Sequence, residues 1–335
     1  MRKAVIGAGV ALAVLAGAWL GAESLASRRV AAMIAADPGL EAATVRPLRD
    51  PRAMGVEVTG LDFRDPALGI SLPWARLSLR PLSPLTARLD LPDRGTILQG
   101  GDSLELGLAR SDARLSLSPL NRMAPDRLDL QAEGLTLDGQ PLVEGLSLQA
   151  RLVSLDAAAP EGAQAAYDLQ LSLAGLQTGA LARIGLDPGP LPGPIAVEGP
   201  MRLWLDRSPS VTGDTAPQLV GWQTPGLSLQ AGEIGLRIIG RLSRDAQGRA
   251  EGQLALYSSD ADAMIGLAAG LGLIPAQGQL LLRAGLSQLA RAPMDASLAG
   301  PDFPEPAEGE LRLPIVMRDG QLMLGGMAIG PAPPL

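Results

Sequence analysis

The sequence predicts a mainly β protein: antiparallel sheets forming two β-rich lobes, as a curled sheet or a sandwich, behind an N-terminal transmembrane helix, with one or two short helices in the C-terminal third. Three observations carry this. Apolar residues, mostly leucine, alternate with polar or small ones over most of the chain; Gly, Pro and Asp-rich turns interrupt that alternation; and an uncharged run occupies the N-terminus. The chain has 335 residues, 47% of them hydrophobic, enough to bury a core although it contains neither cysteine nor histidine.

Residues 1–36 read as the anchor. After Arg2 and Lys3, the nineteen residues from Ala4 to Ala22 carry no charge, and at about 1.5 Å per residue they span roughly 28 Å, one hydrocarbon thickness. The run is longer than the core of a usual secretory signal, so an uncleaved anchor is favoured over cleavage at Ala16-Gly17-Ala18. Arg28 and Arg29 beyond the span balance Arg2 and Lys3 before it. No second hydrophobic segment of comparable length returns the chain, so the bulk of it is most simply exported, tied to a membrane through residues 4–22. Val5-Ile6-Gly7-Ala8-Gly9 looks like the start of a dinucleotide site, but Leu12 stands where the third glycine belongs. Alanine-rich sequence continues to Ala36, and Asp37-Pro38-Gly39 stops the helix.

Residues 37–187 form the first β-rich lobe. Val56-Glu57-Val58-Thr59, Arg76-Leu77-Ser78-Leu79-Arg80, Arg88-Leu89-Asp90-Leu91 and Arg114-Leu115-Ser116-Leu117 repeat with period two, as half-buried strands do. A phrase recurs in Gly134-Leu135-Thr136-Leu137, Gly145-Leu146-Ser147-Leu148 and Gly226-Leu227-Ser228-Leu229, with Leu171-Ser172-Leu173 a shorter copy. Leucine favours helix in isolation, yet a Leu-x-Leu register keeps one face apolar only in a strand. Leu135, Leu137, Leu146, Leu148, Leu171, Leu173, Leu227 and Leu229 are therefore the candidate lining of an apolar groove. On the competing reading the same leucines face one another across a closed core.

Pro188, Pro190, Pro192 and Pro194 suggest the boundary with a second lobe, residues 188–335. Within it, Ser259 and Asp262 resemble a capping box ahead of a helix over 259–272. Leu282, Leu286 and Leu289 share one face of a second helix over 279–291. Glu310 to Met317 and Gln321 to Leu324 then form a hairpin turning at Asp319-Gly320, with Pro314 expected at an edge or a bulge.

The residue inventory excludes much chemistry. Without histidine or cysteine there is no Ser-His-Asp triad, Cys-His pair, zinc site or iron-sulfur cluster, and Lys3, in the anchor, is the sole lysine. The acidic balance, −7 overall and −9 once Arg2 and Lys3 are set aside, argues against nucleic acid and against broad attraction to anionic headgroups. Asp260 with Asp262, and Glu305 with Glu308 and Glu310, are the local carboxylate groups; they read better as helix-start and loop residues than as a catalytic pair or a calcium site. Trp74, Trp204 and Trp222 read as sheet anchors before they read as cavity walls. No catalytic, cofactor-binding or metal-binding residue is expected.

The order of these features resembles a known family. The anchor, the Gly-Leu-x-Leu series, the segment from Ser259 to Gly272 and the closing Leu313-Pro-Ile-Val-Met-Arg-Asp-Gly-Gln-Leu-Met-Leu-Gly-Gly-Met-Ala-Ile-Gly-Pro331 resemble the domain of unknown function 2125 family over most of the chain after residue 20. The resemblance implies a membrane-anchored envelope protein of Gram-negative bacteria with no established catalytic residues. More loosely, an anchor followed by Leu-x-Leu sheets is similar to AsmA and TamB type envelope proteins, whose sheets curl into a groove associated with phospholipid movement. The expectation is a non-enzymatic anchored periplasmic protein that binds or shelters lipid or another apolar envelope component. The alternative is an anchored structural or assembly factor contacting envelope proteins.

Overall fold

The computed structural model describes residues 23–50, 52–64, 69–99, 102–121, 123–185, 193–209, 217–260, 262, 265–266, 292–324 and 326–335. Helix α1 covers residues 23–36, and a short α2 covers Thr178–Arg183. The rest of the regular structure is β: β1 Leu40–Pro47, β2 Met54–Arg64, β3 Gly69–Arg80, β4 Ser83–Asp90, β5 Arg94–Gln99, β6 Asp102–Ser118, β7 Ala124–Leu137, β8 Gln140–Val153, β9 Ala165–Leu176, β10 Ile195–Leu205, β11 Leu219–Ala231, β12 Ile234–Arg244, β13 Ala250–Ser258, β14 Leu311–Arg318, β15 Gln321–Leu324 and β16 Met327–Pro331. The mainly β, antiparallel character expected from the alternation is what the chain adopts.

The predicted span over residues 4–22 lies outside the described residues, and among those described no helix is long and apolar enough to cross a membrane. Of the helix predicted over 259–272, residues 259–260 are not helical and residues 262 and 265–266 are, the rest lying outside the described residues; the one predicted over 279–291 lies outside the described residues. Helix α2 was not foreseen, because Thr178–Arg183 is too short to show a helical period.

By contacts the chain divides into two units, one of Met1–Leu117 with Asp129–Pro141, the other of Ser118–Leu128 with Leu142–Leu335. The proline stretch Pro188 to Pro194 falls inside the second unit.

In the first unit, β1, β2, β3 and β4 are sequential antiparallel neighbours, β4 pairs with β6, and β5 pairs with both β3 and β6. Its apolar residues change face along the strands. Val56 and Val58 lie opposite Leu77 and Ala75 on one face, whereas Leu61 and Phe63 lie opposite Leu72 and Ile70 on the other. The change is written in the phase of the alternation, Val-x-Val followed after Thr59-Gly60 by Leu-x-Phe.

The second unit orders its strands as β8-β9-β10-β11-β12-β13-β14-β15-β16, each antiparallel to the next. Its closing hairpin turns where Asp319 (φ 53°) and Gly320 (φ 69°) both adopt left-handed backbone, as an Asp-Gly two-residue turn requires. Pro314 is corrected: β14 has neighbours on both sides, so it is no edge. Among the described residues, however, the last β15 partner is Leu324 opposite Ile315, so Pro314 lies one residue past the described ladder. The core centres on β12 to β15, where Leu254, Leu256, Leu313, Ile315, Met317 and Leu324 are buried together with Ile265 of the helical segment. The hydroxyl at that segment's start is Ser258's, accepting the Asp260 N–H at 3.2 Å and donating to the Gly235 carbonyl at 2.8 Å, rather than that of Ser259.

Candidate apolar face

Directly opposed residues of an antiparallel ladder share a face, so the register shows which predicted leucines meet. Leu146 opposes Leu173, Leu173 opposes Val197, Val197 opposes Leu229 and Leu229 opposes Leu236. One apolar row therefore crosses five strands, β8 to β12. A second begins with Leu148 opposite Leu171 and reaches Gly199. The third runs through Ala150, Leu169 and Met201, and the fourth through Leu152, Tyr167, Leu203, Trp222 and Leu242. Between Thr224 and Leu227 a register shift brings Leu227 opposite Ile238, back on the same face. Six of the predicted leucines are thus brought together. Leu135, half-buried, and Leu137, fully buried, belong to β7 and to the first unit.

Burial along this face is graded. Leu146, Leu148, Leu169, Leu171 and Leu173 are half-buried, Leu229 is 9% exposed, and Leu256, Leu313 and Ile315 are fully buried. The five-strand row is roughly 20 Å long at ~4.8 Å per strand, longer than the ~15 Å of one bilayer leaflet's hydrocarbon. It carries no charged side chain.

The opposite face of the same strands is polar. Ser147, Ser172, Glu198 and Ser228 form one cross-strand row, continued by Arg237, Tyr257 and Arg312; Arg151, Asp168, Arg202, Gln223, Arg241 and Gln253 form another. Arg202 pairs with Asp168 at 2.6 Å and Asp156 at 2.9 Å, and the Asp168 hydrogen bond raises its already high pKa. Arg241 lies 5.0 Å over the ring of Trp204, where burial lowers the guanidinium's pKa. Trp204 is therefore a buried anchor of the polar face, Trp222 packs on the core cluster, and Trp74 sits under Arg76.

A strap, residues 292–310, covers part of this polar face. Met294 and Phe303 pack on Ile239, Ala255 and Tyr257. The Gln253 amide donates to the Asp295 carbonyl at 2.9 Å and accepts the Asp295 N–H at 3.0 Å, and the Tyr257 hydroxyl donates to the Pro304 carbonyl at 2.8 Å. Burial raises the Tyr257 pKa, so the phenol stays the donor at neutral pH. Arg237 grips both oxygens of Glu310 at 3.1 Å while stacking on Tyr257 at 4.5 Å, Arg312 pairs with Glu305 at 3.6 Å, and Arg318 pairs with Asp295 at 3.1 Å. Glu305 and Glu310 thus hold the strap as ion-pair partners. Among the described residues no group of three or more acidic, histidine or cysteine side chains is arranged to hold a metal.

The antiparallel strands and the closing hairpin match the pattern read from the sequence. A family of uncharacterized proteins conserved in bacteria, DUF2125, matches residues 51–333. The chain belongs to that family. No curated protein and no solved structure matches it. For this DUF2125 protein the family assigns no activity.

Proposed function

We propose that this DUF2125 protein is a non-enzymatic, inner-membrane-anchored periplasmic protein whose β8–β10 face shelters an acyl chain or another apolar envelope component. One observation carries the reading: the cross-strand rows Leu146–Leu173–Val197–Leu229 and Leu148–Leu171 bring aliphatic side chains together, without a charge among them, where the face is only half-buried. Such a surface takes hydrocarbon, because exchanging water for aliphatic contact yields about 25 cal/mol per Å² of apolar area and no buried polar group has to lose its water. The scarcity of convergent polar groups on that face suits a class of chain rather than one small molecule.

The test is native mass spectrometry of the full chain purified from membranes, with lipid extraction. Bound phospholipid or another apolar species is expected on the wild type and lost in Leu171→Asp and Leu173→Asp variants that keep the wild-type circular dichroism. Absence of any lipid from the wild type overturns the reading. The assembly-factor alternative has its own support in β1 and β16, each paired on one side only among the described residues. Crosslinking in cells that captures an envelope protein on either edge, with no lipid bound, would replace the first reading by this one.

A further inference from the structure

The first unit has two unlike ends. Glu23, the first described residue after the predicted span, is helical and fully buried, its Oε1 accepting the Gly55 N–H at 3.0 Å. A Cβ at Gly55 would collide with the Leu77 carbonyl oxygen, so the backbone there is closely packed. From Glu23 the helix runs along β2 to its far end, where the Gly39 carbonyl accepts the Arg64 N–H at 2.7 Å. The chain thus leaves the predicted membrane span latched to the Gly55 end of β2.

That end is basic and apolar. It carries the connection between β1 and β2, in which the Leu48 N–H donates to the Gly55 carbonyl and the Arg52 N–H to Asp50 Oδ1 at 2.8 Å, holding Arg49 and Arg52 outward and exposed. Next to it, Leu79 opposes Met54, and the β3–β4 turn that follows presents Arg80 and Leu82, the latter 97% exposed. Leu25, on the first turn of α1, is 62% exposed. None of Arg28, Arg29, Arg49, Arg52 and Arg80 forms an ion pair among the described residues. At the opposite end Arg64 is tied to Glu41 at 2.9 Å and Asp62 at 3.5 Å, and Asp37 lies alongside.

We infer that the Gly55 end of the first unit docks on the bilayer that holds the anchor, with Arg49, Arg52 and Arg80 on the phosphates of anionic phospholipid headgroups and Leu82 inserted among them. The argument rests on the anchored reading of residues 4–22 and on three features independent of the apolar face in the second unit: where the chain enters, the unpaired guanidiniums, and a leucine exposed at a turn, a place where polar residues are the rule. The net charge, −9 once Arg2 and Lys3 are set aside, does not oppose it, because screening over a Debye length of ~8 Å leaves the headgroups facing only the local charge. Each arginine near an anionic surface shifts the docked-to-undocked ratio about fivefold. Unit one would then stand on the membrane by its basic end, with its acidic end away.

The chain has no cysteine, so single labels are straightforward. The full chain is reconstituted in bilayers of phosphatidylcholine alone or mixed with phosphatidylglycerol, with a fluorophore at Leu82→Cys or, at the far end of α1, at Ala36→Cys. Quenching by headgroup-labelled lipid is read for each. Strong quenching at position 82 and weak quenching at 36 is expected in the anionic bilayer, weakened in high salt and about fivefold for each of Arg49→Gln, Arg52→Gln and Arg80→Gln. Equal quenching at both positions, or quenching at 82 indifferent to lipid charge and to the arginines, overturns the inference. Resistance to alkaline extraction separates the two layers of the argument: a chain extracted by alkali sinks the anchor and this inference together, whereas an embedded chain with an unquenched position 82 sinks this inference alone.

Discussion

The β12–β15 region and the β8–β10 region of the second unit present the same alternation on the same face, yet bury it differently. Leu256, Leu313 and Ile315 are fully buried, while Leu146, Leu148, Leu171 and Leu173 remain half-buried. In the first region Ile265 packs on the apolar face while Met294 and Phe303 close the other side. The lesson is that period-two patterning states which face is apolar and is silent on what covers it.

The largest effect that can break this contrast is a cavity in the sealed region. Leu313→Ala and Leu256→Ala are each expected to cost about 2–5 kcal/mol in denaturant unfolding, whereas Leu171→Ala should cost about 1 kcal/mol, because its side chain keeps part of its solvent contact when folded. Equal losses in the two regions would mean that the β8–β10 face is a closed core. Next comes the strap: Gln253→Ala removes both amide contacts with Asp295 and should cost about 1–3 kcal/mol, with faster proteolysis inside residues 292–310. Tyr257→Phe, which leaves the Pro304 carbonyl only the longer hydrogen bond from Arg312 at 3.4 Å, should cost about 1 kcal/mol.

Acid sharpens the contrast from the strap side. The Asp295 carboxyl is held below its usual 3.8, first by the hydrogen bonds from Ser297 and then by Arg318. A depressed folded value gives stabilisation that is present above the unfolded pKa and lost as pH falls through the folded one. The part of the strap's stabilisation that comes from Asp295 should therefore be fully present between pH ~5 and ~8 and be lost only below 3.8. Carboxyl-carbon NMR should show the Asp295 midpoint rising in Ser297→Ala; no change there would remove the stated cause. The smallest expected effect is Glu41→Ala in the first unit, at most about 1 kcal/mol, because its pair with Arg64 is exposed on both sides.

Much of this was legible in residues. Leu146-Ser147-Leu148 and Leu171-Ser172-Leu173 announce strands, and they meet in register as apolar rows. The Asp319-Gly320 turn follows from its two residues, since Asp-Gly is a pair that tolerates the two left-handed conformations of a type I′ hairpin turn. Pro314 was legible as a missing donor, but not as a central-strand residue, because whether its ladder ends one residue short depends on β15 being only four residues long. Of the strap, the sequence shows only loop residues around Glu305, Glu308 and Glu310: its attachment needs Gln253, Tyr257 and Arg312, which are 42, 47 and 8 residues from their backbone partners.

By itself the sequence determined the β class, the polar and apolar faces of each strand, the turn chemistry and the family, because each is a local property of spacing, side-chain polarity or backbone strain. Tertiary structure decided which leucines oppose one another, which are sealed and which stay half-open, and that Glu23 fastens the helix to Gly55 at the basic end of the first unit. Those outcomes depend on pairing between residues far apart in the chain, and the free energy that selects a pairing belongs to the assembled faces rather than to any one segment.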